Sequence, residues 1–234
     1  GDVDAAFREA ALVVEGHYEH EVVWPICMET NAAVASFDAA SGTLEVWCGT
    51  QAPFFVRKEL ACVLGLDPRK IIVRSVEIGG GFGGKSQSPE QIAIAALLSK
   101  RTGRPVKVVL SRDEEYIAGK SDHAKSMSLR TAVDAKGNIL GRSVDAIVDN
   151  GAYTHMGPVY VSALRHRTAS LYRVGAAGVR AKLVYTNKLP GGSYRGMGAP
   201  GIIWAIENQI DEVAERLKID PVAYRLQIAN QPGD

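Results

Sequence analysis

The string Gly79-Gly80-Gly81-Phe82-Gly83-Gly84-Lys85-Ser86 constrains this chain more than any other. It follows the apolar run Ile71–Ile78 and precedes the helix-like stretch Glu90–Lys100. Glycines concentrated at a strand-to-helix junction predict a backbone that closely approaches another group. Left-handed residues or exposed N–H groups are expected there, where side chains would obstruct. Two unrelated chemistries write such a string. Gly79-x-x-x-x-Gly84-Lys85-Ser86 satisfies the phosphate-loop pattern of nucleotide hydrolases. With Phe82 at its centre, the same string reads as a loop around a different anionic cofactor.

Bulk properties narrow the classes. A chain of 234 residues can bury a sizeable core as one large domain or two small ones. The net charge of +1 and the lack of a basic block give no footprint for nucleic acid or an anionic membrane. No apolar run approaches the roughly 20 residues of a bilayer span. The acidic start Gly1-Asp2-Val3-Asp4 lacks a signal-peptide core. Cys27, Cys48 and Cys62 are odd in number and widely spaced. They argue for buried thiols in a reducing, cytoplasmic compartment rather than a disulfide framework. The absence of an initiator methionine suggests a processed, split or excised piece of something larger.

Periodicity predicts a helix over Asp4–Leu12, an extended run Val13–Val23, and a strand pair Ala32–Asp38 and Leu44–Cys48. Pro53 opens an amphipathic helix with Gly65 as its C′ residue. Strand Ile71–Ile78, the glycine loop, helix Glu90–Arg101 (with Pro89 at its entry) and strand Val106–Leu110 follow. Asp113-Glu114-Glu115 reads as a solvated loop face. Met127–Val133 and Ile139–Val148 read as a long hairpin, and Gly151–Ala181 as irregular. A helix over Ile202–Leu217 precedes a last one capped by Asp220 with Pro221 at N1. Hairpins mixed with strand–helix units indicate an α+β fold.

The phosphate-loop reading has its strand, helix, Lys85 and Ser86 in place. Its Mg²⁺ carboxylate is a poor fit, since Asp113 comes three residues after Val106–Leu110. Phe82 also stands where phosphates would lie. A tight turn packed under a helix is the plainer alternative. A second loop, Tyr194-Arg195-Gly196-Met197-Gly198-Ala199-Pro200-Gly201, again stands just before a helix. Two such loops suggest two walls of one polar, close-fitting site.

With Gly49-Thr50-Gln51-Ala52-Pro53, these loops make a specific pattern. The chain resembles the molybdopterin-binding domain in the large subunits of the xanthine dehydrogenase and aldehyde oxidase family. Further matches run in the family's order: Cys27-Met28-Glu29-Thr30, Asp149-Asn150-Gly151-Ala152-Tyr153, Thr186-Asn187, and the closing Glu207…Asp211…Asp220-Pro221…Arg225…Asn230. The resemblance covers nearly the whole chain. It implies a molybdenum hydroxylase, whose metal is held by the pterin dithiolene with no protein side-chain ligand. Gln51 matches the glutamine beside the metal's oxygen and sulfur ligands. Phe82 and Arg195 match positions whose backbone amides face the metal. Gly80, Gly81, Gly83 and Gly196 allow the close approach.

The resemblance also implies partners: a second molybdopterin-binding domain, iron–sulfur clusters and, in many members, flavin. The pterin in some members carries a cytosine dinucleotide. The family's catalytic glutamate matches no residue here, so the piece alone is expected to be inert. Purine-oxidising members carry a glutamate where this chain has Ser86, an arginine where it has Ala163 (nine residues before Tyr172), and an aromatic where it has Met197. Arg165 and Arg167 are out of register. These departures point away from xanthine and toward an aldehyde, another heterocycle or an aromatic acyl substrate, with Ser86 and Met197 on the substrate wall. Gly201 replaces the family's glutamine, which puts one cofactor contact in doubt. His17 and His20 lie on opposite faces of an extended strand and read as surface polar residues. A nucleotide-binding phosphate-loop hydrolase and a cofactor-free assembly domain are the competing classes.

Overall fold

A computed structural model of the chain describes residues 1–86 and 90–233. In chain order the elements are α1 (Val3–Arg8), β1 (Leu12–His20), β2 (Ala32–Asp38), β3 (Thr43–Cys48), α2 (Pro53–Leu64), β4 (Ile71–Ser75) and α3 (Glu90–Thr102). They continue with β5 (Val106–Val109), α4 (Arg112–Ala118), β6 (Lys125–Val133), β7 (Ile139–Gly151), α5 (Gly157–Ser170), β8 (Ala176–Tyr185), α6 (Ala199–Leu217) and α7 (Pro221–Ile228). Contacts divide the chain into two compact units. Unit 1 holds Gly1–Val22, His123–Gly191 and Gly196–Asp234; unit 2 holds Val23–Asp122 and Gly192–Arg195.

Unit 1 is built on the sheet β1-β6-β7-β8, antiparallel except for the parallel pair β7/β8. The inner face alternates as the pleat demands, with Met127, Leu129 and Val133 of β6 buried. Against it lies α6, whose Ile202, Ala205, Ile206, Ile210 and Val213 recur at helical spacing and are wholly buried. The buried amide of Gln209 is satisfied: its oxygen accepts from Thr131 Oγ1 at 2.7 Å and its nitrogen donates to Leu129 O at 2.7 Å. Arg225 of α7 donates to Glu207 and Asp211 of α6 at 2.8 and 2.6 Å, and the Tyr172 hydroxyl donates to Glu207 at 2.7 Å. The closing sequence pattern is therefore a brace between two helices.

Unit 2 carries the sheet β4-β3-β2-β5, with β3/β4 parallel and the other pairs antiparallel. Helices α2 and α3 cover it through Val56, Leu60, Ile92, Ala95 and Ala96, packed on Ala35, Leu44, Val46 and Ile71. Gly65 ends α2 at φ 62°, the left-handed C-cap its position predicts.

Several expectations need correction. The first helix stops at Arg8, because the chain must extend from Leu12 to pair with β6. The strand before the glycine loop ends at Ser75, where its parallel pairing with Cys48 ends. Asp113-Glu114-Glu115 is not loop but the first turn of α4, begun by a capping box between Ser111 and Glu114. The stretch read as irregular contains α5 and the first part of β8. Cys27 and Cys48 are buried thiols, whereas Cys62 is exposed on α2. Pro89 lies outside the described residues.

Candidate functional site

Parallel neighbours leave the sheet at the same end, so the segments after β3 and β4 meet. Gln51, in the turn between β3 and α2, donates its N–H to Lys85 O at 2.8 Å. Its side-chain oxygen accepts from Gly83 N at 3.0 Å and Lys85 N at 3.3 Å. Two N–H donors on one atom identify that atom as the carbonyl oxygen of the amide. The Gln51 Nε2 group therefore points away from the loop backbone, with no protein acceptor among the described residues.

The loop itself changes hand repeatedly, with φ of 97° at Gly80, 46° at Phe82 and 96° at Gly83. Internal turns close it: Gly84 N donates to Gly81 O at 2.8 Å and Ser86 N to Gly83 O at 3.1 Å. The N–H groups of Gly80, Gly81 and Phe82 have no protein acceptor among the described residues. Successive amides of alternating hand form a concavity suited to an anion or a polarised oxygen. Phe82 is half-exposed beside them. Two of the glycines are sterically required. A Cβ at Gly81 would lie 2.6 Å from Gln51 Oε1, and one at Gly83 would lie 2.7 Å from Ser193 O. The Ser86 hydroxyl turns back to Gly83 O at 2.6 Å, so its one proton serves the loop.

The second loop is divided. Gly192–Arg195 belongs with unit 2, tied by Gly192 N donating to Ser121 O at 2.7 Å. The structure thus brings Gln51, Gly80, Gly81, Phe82, Gly83 and Ser86 together with Ser193. Arg195 follows two residues later and is exposed. Gly196 and Met197 are built into unit 1, at φ 90° and 36°, where Gly196 O accepts from Ala199 N to start α6. Gly201 has a local explanation: a Cβ there would lie 2.2 Å from Lys125 Cε. Tyr172 is committed to Glu207, and Ala163, Arg165 and Arg167 lie on α5.

The phosphate-loop expectation fails at Lys85. In a phosphate loop this ammonium reaches the bound phosphates. Here it is buried and lies 2.5 Å from Glu29 Oε2. The same Glu29 oxygen accepts from Gly79 N at 2.9 Å, and Glu29 N donates to Gly79 O at 3.1 Å. The hydrogen bond from Lys85 holds the Glu29 carboxyl below its ordinary range. Asp113 sits on α4, not at a strand end. The Glu29–Lys85 pair was missed in the sequence because its members lie 56 positions apart with no local signal.

Among the described residues no three His, Cys, Asp or Glu side chains gather into a group that could hold a metal ion. His17 is engaged by Ser126 and Ser128 across β1 and β6. The polar groups the site offers are N–H donors: the Gln51 amide and the loop backbone. That donor set fits a cofactor that brings its own metal ligands and presents oxygen or sulfur acceptors to the protein.

Known proteins resemble this chain along its length. The family described as the molybdopterin cofactor-binding domain matches residues 1–229. The chain is 35% identical over 234 residues to the xanthine dehydrogenase molybdenum-binding subunit of Escherichia coli O157:H7, covering all of this chain and 31% of that protein. It is 35% identical over 233 residues to the nicotinate dehydrogenase large molybdopterin subunit of Eubacterium barkeri, covering 54% of it. The fold superposes on quinoline 2-oxidoreductase of Pseudomonas putida 86 with a TM-score of 0.91 and 31% identity, over 100% of this chain and 30% of that one. The chain spans about a third to a half of the length of these curated relatives. With its donor-lined loop, its mixed α and β fold and a family match over almost its full length, this chain belongs to the molybdopterin cofactor-binding domain family.

Proposed function

We propose that residues 1–234 form one molybdopterin-binding segment of a molybdenum hydroxylase, which hydroxylates an aldehyde, a heterocycle or an aromatic acyl substrate with oxygen derived from water. The observation that carries this reading is the fixed orientation of Gln51. Its oxygen is consumed by Gly83 N and Lys85 N, which turns its amide donor outward beside the N–H groups of Gly80, Gly81 and Phe82, free among the described residues. Arg195 N supplies a further donor of the same kind.

When bound, the molybdenum centre supplies the two-electron oxidising chemistry. This chain's residues orient it. Gln51 Nε2 and the amides of Phe82 and Arg195 would donate hydrogen bonds, and Gly80, Gly81 and Gly83 would keep side chains out of the approach. Donors fixed in advance need no reorganisation as charge develops, which is where such sites gain most. On this reading Ser86 and, by the resemblance alone, Met197 are substrate-side residues. The Ser86 hydroxyl, held by Gly83 O, offers lone pairs rather than a carboxylate, and Met197 offers a soft, adaptable wall. A heterocycle without purine's several polar edges suits these residues, as nicotinate does for the nicotinate dehydrogenase relative. No residue of this chain is given a proton-transfer role. A second molybdopterin-binding domain, iron–sulfur clusters, flavin and a cytosine dinucleotide on the pterin complete the proposed enzyme. Three free thiols suit a cytoplasmic setting, and no helix among the described residues is long and apolar enough to cross a membrane.

The test is Gln51→Glu in the complete enzyme. Glutamate keeps an oxygen for Gly83 N and Lys85 N but has no N–H to donate outward. Turnover should fall by about a hundredfold or more, the scale of one lost preorganised donor, while the unfolding midpoint stays near that of the unmodified enzyme. Absence of molybdenum and pterin from the native assembly, by metal and cofactor analysis, would sink the reading.

A further inference from the structure

One carboxylate oxygen, Glu29 Oε2, grips both ends of the glycine loop. It accepts from Gly79 N at 2.9 Å and from Lys85 Nζ at 2.5 Å. The packing leaves room for this grip and for little else. A Cβ on Gly79 would fall 2.5 Å from Glu29 Cβ, and one on Gly49 would fall 3.3 Å from the carboxylate. Between the two ends, Cys27 Sγ donates to Gly81 O at 3.4 Å.

The segment carrying Cys27 and Glu29 is itself anchored from behind. Arg112 Nη2 donates to Cys27 O at 2.5 Å and Met28 O at 3.1 Å. The Glu115 carboxylate accepts from Asn31 N at 2.8 Å and from the Asn31 side-chain amide. Both anchors come from α4, whose first turn is fixed by the Ser111–Glu114 capping box. A continuous series of contacts thus runs from α4 through Cys27–Asn31 to the loop and on to Gln51.

We propose that Glu29 and Lys85 are positioning residues: their ion pair latches the loop so that the Gln51 amide and the free N–H groups of Gly80–Phe82 stay aimed at the cofactor. The inference rests on the molybdopterin reading of the site. Stability alone is a poor reason for the pair, because burying an ammonium carries a desolvation penalty that a single carboxylate rarely repays in full. What the pair supplies is a fixed shape in a glycine-rich segment that has little intrinsic shape of its own.

The test uses the complete enzyme carrying Glu29→Gln, Lys85→Met or Glu29→Asp. Hydrogen exchange is followed at Gly83 and Lys85, whose acceptor is Gln51 and not Glu29, together with molybdenum content and the electron paramagnetic resonance spectrum of the metal. The latch predicts exchange about tenfold faster at both amides in the first two variants. It also predicts an altered spectrum or reduced metal content, with partial recovery in Glu29→Asp. A purely local ion pair would change exchange at Gly79 alone and leave the spectrum as it was, which overturns the proposal. Should Glu29→Gln fail to fold because its lysine is left buried and unpaired, Lys85→Met decides, since it leaves only a part-exposed carboxylate. If the unmodified enzyme contains no molybdenum, the functional reading falls while the exchange measurement still judges the latch.

Discussion

Arg142 of unit 1 and Lys85 of unit 2 are both buried long cations, and the two are put to different use. In unit 1, Arg142 is fully buried and donates from Nη1 to Thr168 O and Leu171 O, each at 3.2 Å, where α5 ends. Its Nε and Nη2 have no partner among the described residues. Burial pushes its pKa down to about 10. A cation at a helix C-terminus satisfies orphan carbonyls and meets the negative end of the macrodipole. In unit 2, Lys85 is equally buried but faces a carboxylate, and the pair serves a loop rather than a helix end. The first arrangement supports the fold; the second supports the shape of a site. A buried charge therefore says little about function until its partner is known.

Substitutions can break that comparison. The largest effect is expected from Arg142→Ala, which leaves a cavity and strips two buried carbonyls. It should cost about 3 kcal/mol or more in denaturant unfolding. In the complete enzyme that still folds, the metal's spectrum should be unaltered. A changed spectrum with small destabilisation would reverse the assignment of the two cations.

Acid provides a smaller effect that only unit 2 should show. Glu29 has its carboxyl held below the ordinary 4.5, chiefly by the hydrogen bond from Lys85. Its contribution is present in full above the unfolded value and is lost as pH falls through the folded one. Protection of the Gly79 and Lys85 amides, relative to their intrinsic exchange, should therefore fall as acidification passes through that lowered folded value. Glu29→Gln, already lacking the charge, should show no such step.

The smallest effects come from two helix caps. Asp220 accepts from Val222 N and Ala223 N, both at 3.0 Å, at the start of α7. Ser111 accepts from Glu114 N at 3.2 Å at the start of α4. Replacing either by alanine should cost about 1 kcal/mol. Only Ser111→Ala should also loosen the glycine loop, because α4 anchors Cys27–Asn31. Equal loop exchange in the two variants would remove α4 from the series of contacts.

The elements legible in the sequence were those whose signals are local. Strand Ala32–Asp38 has the bounds its pattern predicts, and α2 starts at Pro53 and ends at a left-handed Gly65 as turn chemistry requires. Helix α5 was not legible, because Met156 caps it without a side-chain bond and valine and threonine interrupt its run. Its buried stripe of Gly157, Tyr160, Leu164 and Thr168 is one residue wide, too narrow to read without knowing what covers it. In the site, Gln51 and the loop glycines were legible from their ordered resemblance to a family. The work of Glu29 was not.

By itself the sequence determined the punctuation of the chain: where glycines permit a left-handed turn, where prolines open helices, and which faces are apolar. It also determined the family. Only the tertiary structure decided between a phosphate lysine and a latch lysine, since the string Gly84-Lys85-Ser86 is the same in both. The direction of the Lys85 ammonium is set by Glu29, which reaches it because β2 runs antiparallel to β3 and β3 parallel to β4, so the segment before β2 lies at the sheet end where the chain leaves β4. Pairing across 56 positions is a property of the folded chain, and no local propensity encodes it.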